Sequence, residues 1–126
     1  MTLLESGQMY LETILLLSQK KEHVRSIDVS EYMNFSKPSV SRAMGILKKE
    51  NYIVIDTNGY ITLTASGLEI AEKILERHHV LTDMLISLGV TPDVAEADAC
   101  KMEHVISDET FAAIKEHRAR YGGKKA

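Results

Sequence analysis

Cys100, Glu103 and His104 are the residues of this chain best suited to chemistry, and they stand together in the stretch "ACKMEHVISDE". Cys100 is the only cysteine. A thiol, a carboxylate and an imidazole at i, i+3 and i+4 would share one face of a helix. Thiolate and carboxylate with a neutral imidazole make a donor set for a first-row divalent metal. A polar helix face can also gather these groups by accident, so the surrounding elements have to discriminate. His78 adds to the case. It lies on the apolar stripe of an upstream helix, where an unsatisfied polar group costs roughly 1–3 kcal/mol. Alone, such a histidine reads as a core residue bonded to a carbonyl. Beside Cys100, Glu103 and His104 it reads as a further ligand.

The elements that carry these groups are legible from periodicity. Leu68, Ala71, Ile74, Leu75, His78, Leu81, Leu85 and Leu88 form a helical stripe, predicting a helix over 67–88 that Gly89 stops. "TPDVAEADACKMEHVIS" predicts another over 92–106, with Thr91 as N-cap and Pro92 at the first position. Ser107 caps a third helix, and "YGGKKA" reads as a flexible basic tail. The stripes on 67–88 and 92–106 are longer than a chain this small covers alone, which points to a homodimer.

The N-terminal half has a different pattern. Leu4, Leu11, Ile14, Leu15 and Leu17 are spaced for a helix. Ile27, Val29, Tyr32 and Met33 predict a short helix from near Ser26, broken by "MNFSK". A third helix runs from Lys37 to about Glu50, with Ser36 as N-cap, Pro38 in the first turn, and Val40, Met44 and Leu47 buried. "YIVIDTNGYITLT" then sets two β-branched runs around Asn58-Gly59, a hairpin signal. That order is a winged helix-turn-helix. The expected fold is therefore mainly α. A winged helix-turn-helix with a β-hairpin wing occupies 1–66, and a helical dimerisation and metal-binding domain occupies 67–126.

In this arrangement the helix from Lys37 is the recognition helix. The stretch Lys37–Lys49 has four positive residues and no negative one. Lys37, Ser39, Ser41 and Arg42 are its early exposed positions. Such hydroxyls and cations suit phosphate oxygens and base edges in a DNA major groove. An ordinary solvated helix face has a similar composition, and that alternative stays open on pattern alone.

Composition sets the outer bounds. The chain has 126 residues, 44% of them apolar, and a net charge of -3. That suffices for a packed core and provides no global attraction to nucleic acid, so any basic surface must be local. A lone cysteine fits a reducing cytoplasm. The N-terminus lacks the positive region and cleavage-like site of a signal peptide. The apolar runs are too short to span a membrane.

Four segments, "GQMYLETILLL", "SKPSVSRAMGILKKENYI", "LTASGLEIAEKILERHHVL" and "EADACKMEHVISDE", together resemble the diphtheria toxin repressor family of metal-dependent transcriptional regulators. The resemblance covers nearly the whole chain, and the Cys-x-x-Glu-His-x-x-Ser-Asp motif is its most specific part. It implies an N-terminal winged helix, a helical dimerisation and metal-sensing domain, and repression at double-stranded operator DNA when metal is bound. Residue by residue, the iron-type branch implies Met9, Cys100, Glu103 and His104 as the principal site and His78 in a second. The manganese-type branch implies Glu12 one turn after the first ligand, and it is built without a third, SH3-like domain. It has carboxylates where this chain has Met9 and Cys100. The iron-type second site also uses an acidic residue and a histidine at positions where this chain has Thr82 and Glu96, so Glu12, His78 and Glu103 are the expected second set. His79, Glu96, Asp98 and His117 are expected at the surface or in support.

A metal that joins Met9 on the first helix to Cys100, Glu103 and His104 would fix the DNA-binding half against the dimer half. Metal and operator would then favour each other reciprocally. The soft donors Met9 and Cys100 favour Fe(II) over Mn(II), whereas Glu12 keeps Mn(II) as the alternative. Two rivals are weaker. A metal-free redox sensor wants a thiolate near cations, and Cys100 neighbours Asp98 and Glu103. A metalloenzyme needs a second catalytic cluster, and none is visible, so the chain is expected not to be an enzyme.

Overall fold

The computed structural model describes residues 5–122. Among them are six α-helices and one two-stranded antiparallel hairpin, in the order α1 (Glu5–Ser18), α2 (Ser26–Met33), α3 (Lys37–Lys49), β1 (Ile53–Ile55), β2 (Ile61–Leu63), α4 (Ala65–Ser87), α5 (Pro92–Met102) and α6 (Asp108–His117). The fold is mainly α, with a winged helix-turn-helix followed by helices. The chain forms two compact units, Met1–Lys73 and Ile74–Ala126, dividing within α4. Leu4 and residues 123–126 lie outside the described residues.

In the first unit, α1 buries Leu11, Ile14, Leu15 and Leu17. α2 ends because Asn34 takes a left-handed conformation and returns its N–H to the Ser30 carbonyl. Ser36 then caps α3, its hydroxyl accepting from the Ser39 N–H. Pro38 needs no amide partner in that first turn. Val40, Met44 and Leu47 are buried along α3. These are the helices and cap expected from the sequence.

The wing pairs Ile53 with Leu63 and Ile55 with Ile61. Its turn is organised by the Asp56 carboxylate, which accepts from the Asn58 and Tyr60 N–H groups. Only Gly59 is left-handed there, at φ 83°. So short a hairpin is weak alone, and its neighbours anchor it. Ile61 donates to the Val24 carbonyl at 2.7 Å. Arg25 Nη2 donates to the Asn58 carbonyl at 2.9 Å, and His23 stacks on Tyr60.

Thr64 caps α4 by accepting from the Gly67 N–H at 3.1 Å. Gly67 is required by a close approach, since a Cβ there would run into the Tyr52 carbonyl. In the second unit the core gathers Ile74, Leu81, Ala95, Ala99 and Phe111.

Two expectations need correction. α5 stops at Met102 rather than continuing to 106. Glu103 caps it, its N–H still bonded to the Ala99 carbonyl, and residues 103–105 form a turn, so His104 falls beyond the helix. Arg77 Nη1 donates to the carbonyls of Glu103 and Ile106 in this turn. The second concerns the start of the tail, of which only Tyr121 and Gly122 are described: Tyr121 belongs to a π-helical turn, Arg118–Gly122, and its ring meets His117 at 4.8 Å.

Candidate functional site

The potential ligands of the second unit converge where α4 passes the end of α5. Glu103 is fully buried, at 0% exposure. Its Oε1 lies 2.8 Å from His78 Nδ1, in the middle of α4. Its Oε2 has no hydrogen-bond donor among the described residues and lies 3.4 Å from His104 Nε2. Cys100 is half-buried on the last turn of α5. The structure thus brings His78, Glu103 and His104 together, with Cys100 one helical turn before Glu103.

The other ring nitrogen of His78, Nε2, lies 3.8 Å from Glu96 Oε2. Glu96 was expected only at the surface or in support. It is exposed, yet its carboxylate comes up to His78 because α5 runs past α4 there.

Met9 and Glu12 are on α1 in the first unit, three residues apart and both half-buried. Lys37, Ser39, Ser41 and Arg42 are all exposed on the first turns of α3. No acidic residue stands in the first turn of α3, and Lys48 and Lys49 are in its last.

Comparison with known proteins places this arrangement. Residues 2–60 match the family described as iron dependent repressor, N-terminal DNA binding domain. Residues 64–119 match the iron dependent repressor, metal binding and dimerisation domain. This chain belongs to the iron-dependent repressor family. It is thus a member of a family of metal-dependent, DNA-binding transcriptional repressors.

Several relatives of this repressor family can be named. The transcriptional regulator MntR of Escherichia coli is 31% identical over 115 residues, covering 91% of this chain and 74% of that protein. An uncharacterized HTH-type transcriptional regulator of Methanocaldococcus jannaschii is 30% identical over 113 residues, covering 88% and 90%. The solved manganese regulator SloR superposes with a TM-score of 0.80 at 26% identity, over 94% of this chain. A solved manganese-dependent transcriptional repressor complex with manganese gives 0.82 at 27% identity, over 90%. This chain spans 55% and 52% of those two structures, about half their length.

The residues present fit the divalent cation of such a repressor. A buried carboxylate oxygen with no donor costs roughly 1–3 kcal/mol, and a cation removes that cost. The imidazoles of His78 and His104 stand against the same carboxylate. Sequence reasoning missed Arg77, which shapes that corner. Its position on a buried helix face was a signal, because arginine is almost never fully buried unless paired.

Proposed function

We propose that this chain is a transcriptional repressor that binds double-stranded operator DNA as a homodimer when divalent metal is bound, and so controls metal-ion homeostasis. The observation that carries the reading is Glu103: fully buried, held by His78 on one oxygen and, among the described residues, without a hydrogen-bond donor on the other. The proposed ligands are Met9, Glu12, His78, Cys100, Glu103 and His104. When bound, the cation supplies the positive charge that lets carboxylate, thiolate and imidazole stand close together. His78 orients the Glu103 carboxylate by hydrogen bonding, and the turn after Met102 presents His104 to the same corner. Lys37, Ser39, Ser41 and Arg42 supply the DNA-facing surface, with cations for phosphates and hydroxyls for phosphates or base edges. Residues 1–66 are assigned to DNA binding and 67–126 to dimerisation and metal sensing.

Exposed apolar side chains support the homodimer. Leu88 is 73% and Val105 71% exposed, and Val94 is exposed as well. No helix among the described residues is long and apolar enough to cross a membrane. The lone cysteine fits a reducing, cytoplasmic setting.

The metal is the finer question. Met9 and Cys100 offer thioether and thiolate sulfur, which favours Fe(II) over Mn(II). A second reading, an Mn(II)-responsive repressor of metal transport, is favoured by the relatives named for manganese and by the carboxylate of Glu12. The deciding test is anaerobic operator binding with Fe(II) and Mn(II) in parallel, on the parent and on Cys100→Glu with Met9→Asp. Binding is expected only with metal, and the double variant should favour Mn(II) more than the parent does. An unchanged ratio would remove the two sulfur ligands as the basis of metal choice. Operator binding indifferent to every metal would overturn the function itself.

A further inference from the structure

Arg77 and His78 are consecutive on α4, and both hold Glu103. His78 holds its carboxylate at 2.8 Å, and Arg77 Nη1 holds its main-chain carbonyl at 3.2 Å. The same Nη1 holds the Ile106 carbonyl at 2.9 Å, and Nη2 binds the Asp108 carboxylate in the first turn of α6. The guanidinium lies over the Phe111 ring, 5.3 Å from its centroid. One side chain thus brackets the four-residue turn 103–106 from both ends and ties it to the next helix.

The cost of this arrangement is informative. Arg77 is 7% exposed. A buried cation contributes little net stability, and well-packed apolar residues of similar volume often do as well or better. Its Nε has no hydrogen-bond partner among the described residues, so the cation is not fully repaid by its partners. What the guanidinium does provide is geometry. Its planar fork fixes the spacing of its acceptors, whereas the ammonium of a lysine is a point charge on a flexible stem. The acceptors are carbonyls of the turn that follows α5, and that turn carries Glu103 and His104.

We propose that Arg77 is a positioning residue for metal binding: it sets the conformation of the 103–106 turn, and so the affinity of Glu103 and His104 for a divalent cation, without touching the cation. This rests on the reading of Glu103 and His104 as ligands. Supports that orient ligand residues typically change metal affinity by roughly 10- to 100-fold when removed.

The test uses the full chain and Co(II) as the probe, titrated anaerobically and followed by cobalt ligand-field absorption. Arg77→Lys keeps the charge and loses the fork. Its Co(II) affinity should fall by roughly 10- to 100-fold, with an altered absorption spectrum. Leu81→Ala, a core truncation elsewhere on α4, is the control for lost stability, monitored by melting the metal-free proteins. Its Co(II) spectrum should match the parent's. Asp108→Asn trims only the 76% exposed end of the clamp, so it keeps the test open if Arg77→Lys does not fold. It should give a smaller loss of affinity in the same direction. Parent-like affinity and spectrum in Arg77→Lys would overturn the inference. So would a loss no greater than that of an equally destabilised Leu81→Ala, or, should Arg77→Lys not fold, parent-like affinity in Asp108→Asn. A parent that binds no Co(II) would instead remove the ligand reading, and this inference with it.

Discussion

His78 Nδ1 and Glu103 Oε1 lie 2.8 Å apart, joining the middle of α4 to the residue that ends α5. The other Glu103 oxygen is buried without a donor among the described residues. A neutral amide relieves that cost, so the metal-free Glu103→Gln variant should be as stable as the parent or more so. It should also lose the stabilisation that metal gives. For the parent that gain is about 2.7 kcal/mol at a metal concentration of 100 times Kd. Thermal melts with and without Mn(II) read both effects. A full metal-induced shift in the variant would show that Glu103 is not a ligand.

Lys37 and Arg42 stand exposed on the first two turns of α3. Arg42→Ala should weaken operator binding while metal binding stays intact. If Arg42 reads a guanine, discrimination at that base should fall by about 1–3 kcal/mol. Lys37→Ala should weaken binding evenly across sequences and reduce its salt dependence. Unchanged affinity of the double variant at moderate salt would take α3 out of the interface.

Gly67 offers a test whose sign is diagnostic. Glycine in a helix normally loses to alanine by roughly 0.5–1 kcal/mol, so Gly67→Ala would ordinarily stabilise. Here the added Cβ meets the Tyr52 carbonyl, a main-chain atom that cannot swing aside. The expected result is destabilisation by about 1–3 kcal/mol in urea unfolding. Stabilisation would mean that the wing and the start of α4 do not pack this closely.

Asp28 governs an acid-side loss of stability. Partial burial pushes its carboxyl up, but the Lys21 hydrogen bond, the Arg25 N–H and the two positive charges outweigh it and hold it below the ordinary carboxylate value. A lowered folded-state pKa adds stability above the unfolded value, about 3.9. That stability is lost as pH falls from there through the lower folded value. Asp28→Asn should therefore be less stable than the parent at neutral pH, and the two should converge in acid. Parallel unfolding curves from neutral to pH 2–3 would contradict this.

How much of this was readable in the sequence depends on how local each cause is. Ser36 and Ser107 cap α3 and α6 through their own side chains, so those boundaries follow from neighbouring residues. The hairpin was visible at Asn58-Gly59, although Asp56 does much of the organising. Thr91 occupies the N-cap of α5 without a side-chain hydrogen bond, and Pro92 is the sounder marker there. The turn after α5 was not readable, and the contact that holds it comes from Arg77, 26 residues earlier in the chain. The approach of Glu96 to His78 was hidden for the same reason, since it depends on how α5 passes α4. The spacing of Cys100, Glu103 and His104 was legible. That two of the three sit in a turn was not.

The wing tip is held to the start of α2 through the carbonyl of Asn58, not through its amide side chain. Every residue type carries that carbonyl. Position 58 is thus free to drift in sequence while the anchor from Arg25 persists. A substitution at 58 should leave this anchor in place, whereas loss of the Arg25 guanidinium removes it whatever stands at 58, leaving the wing to its bond with Val24 and the stacking of His23 on Tyr60.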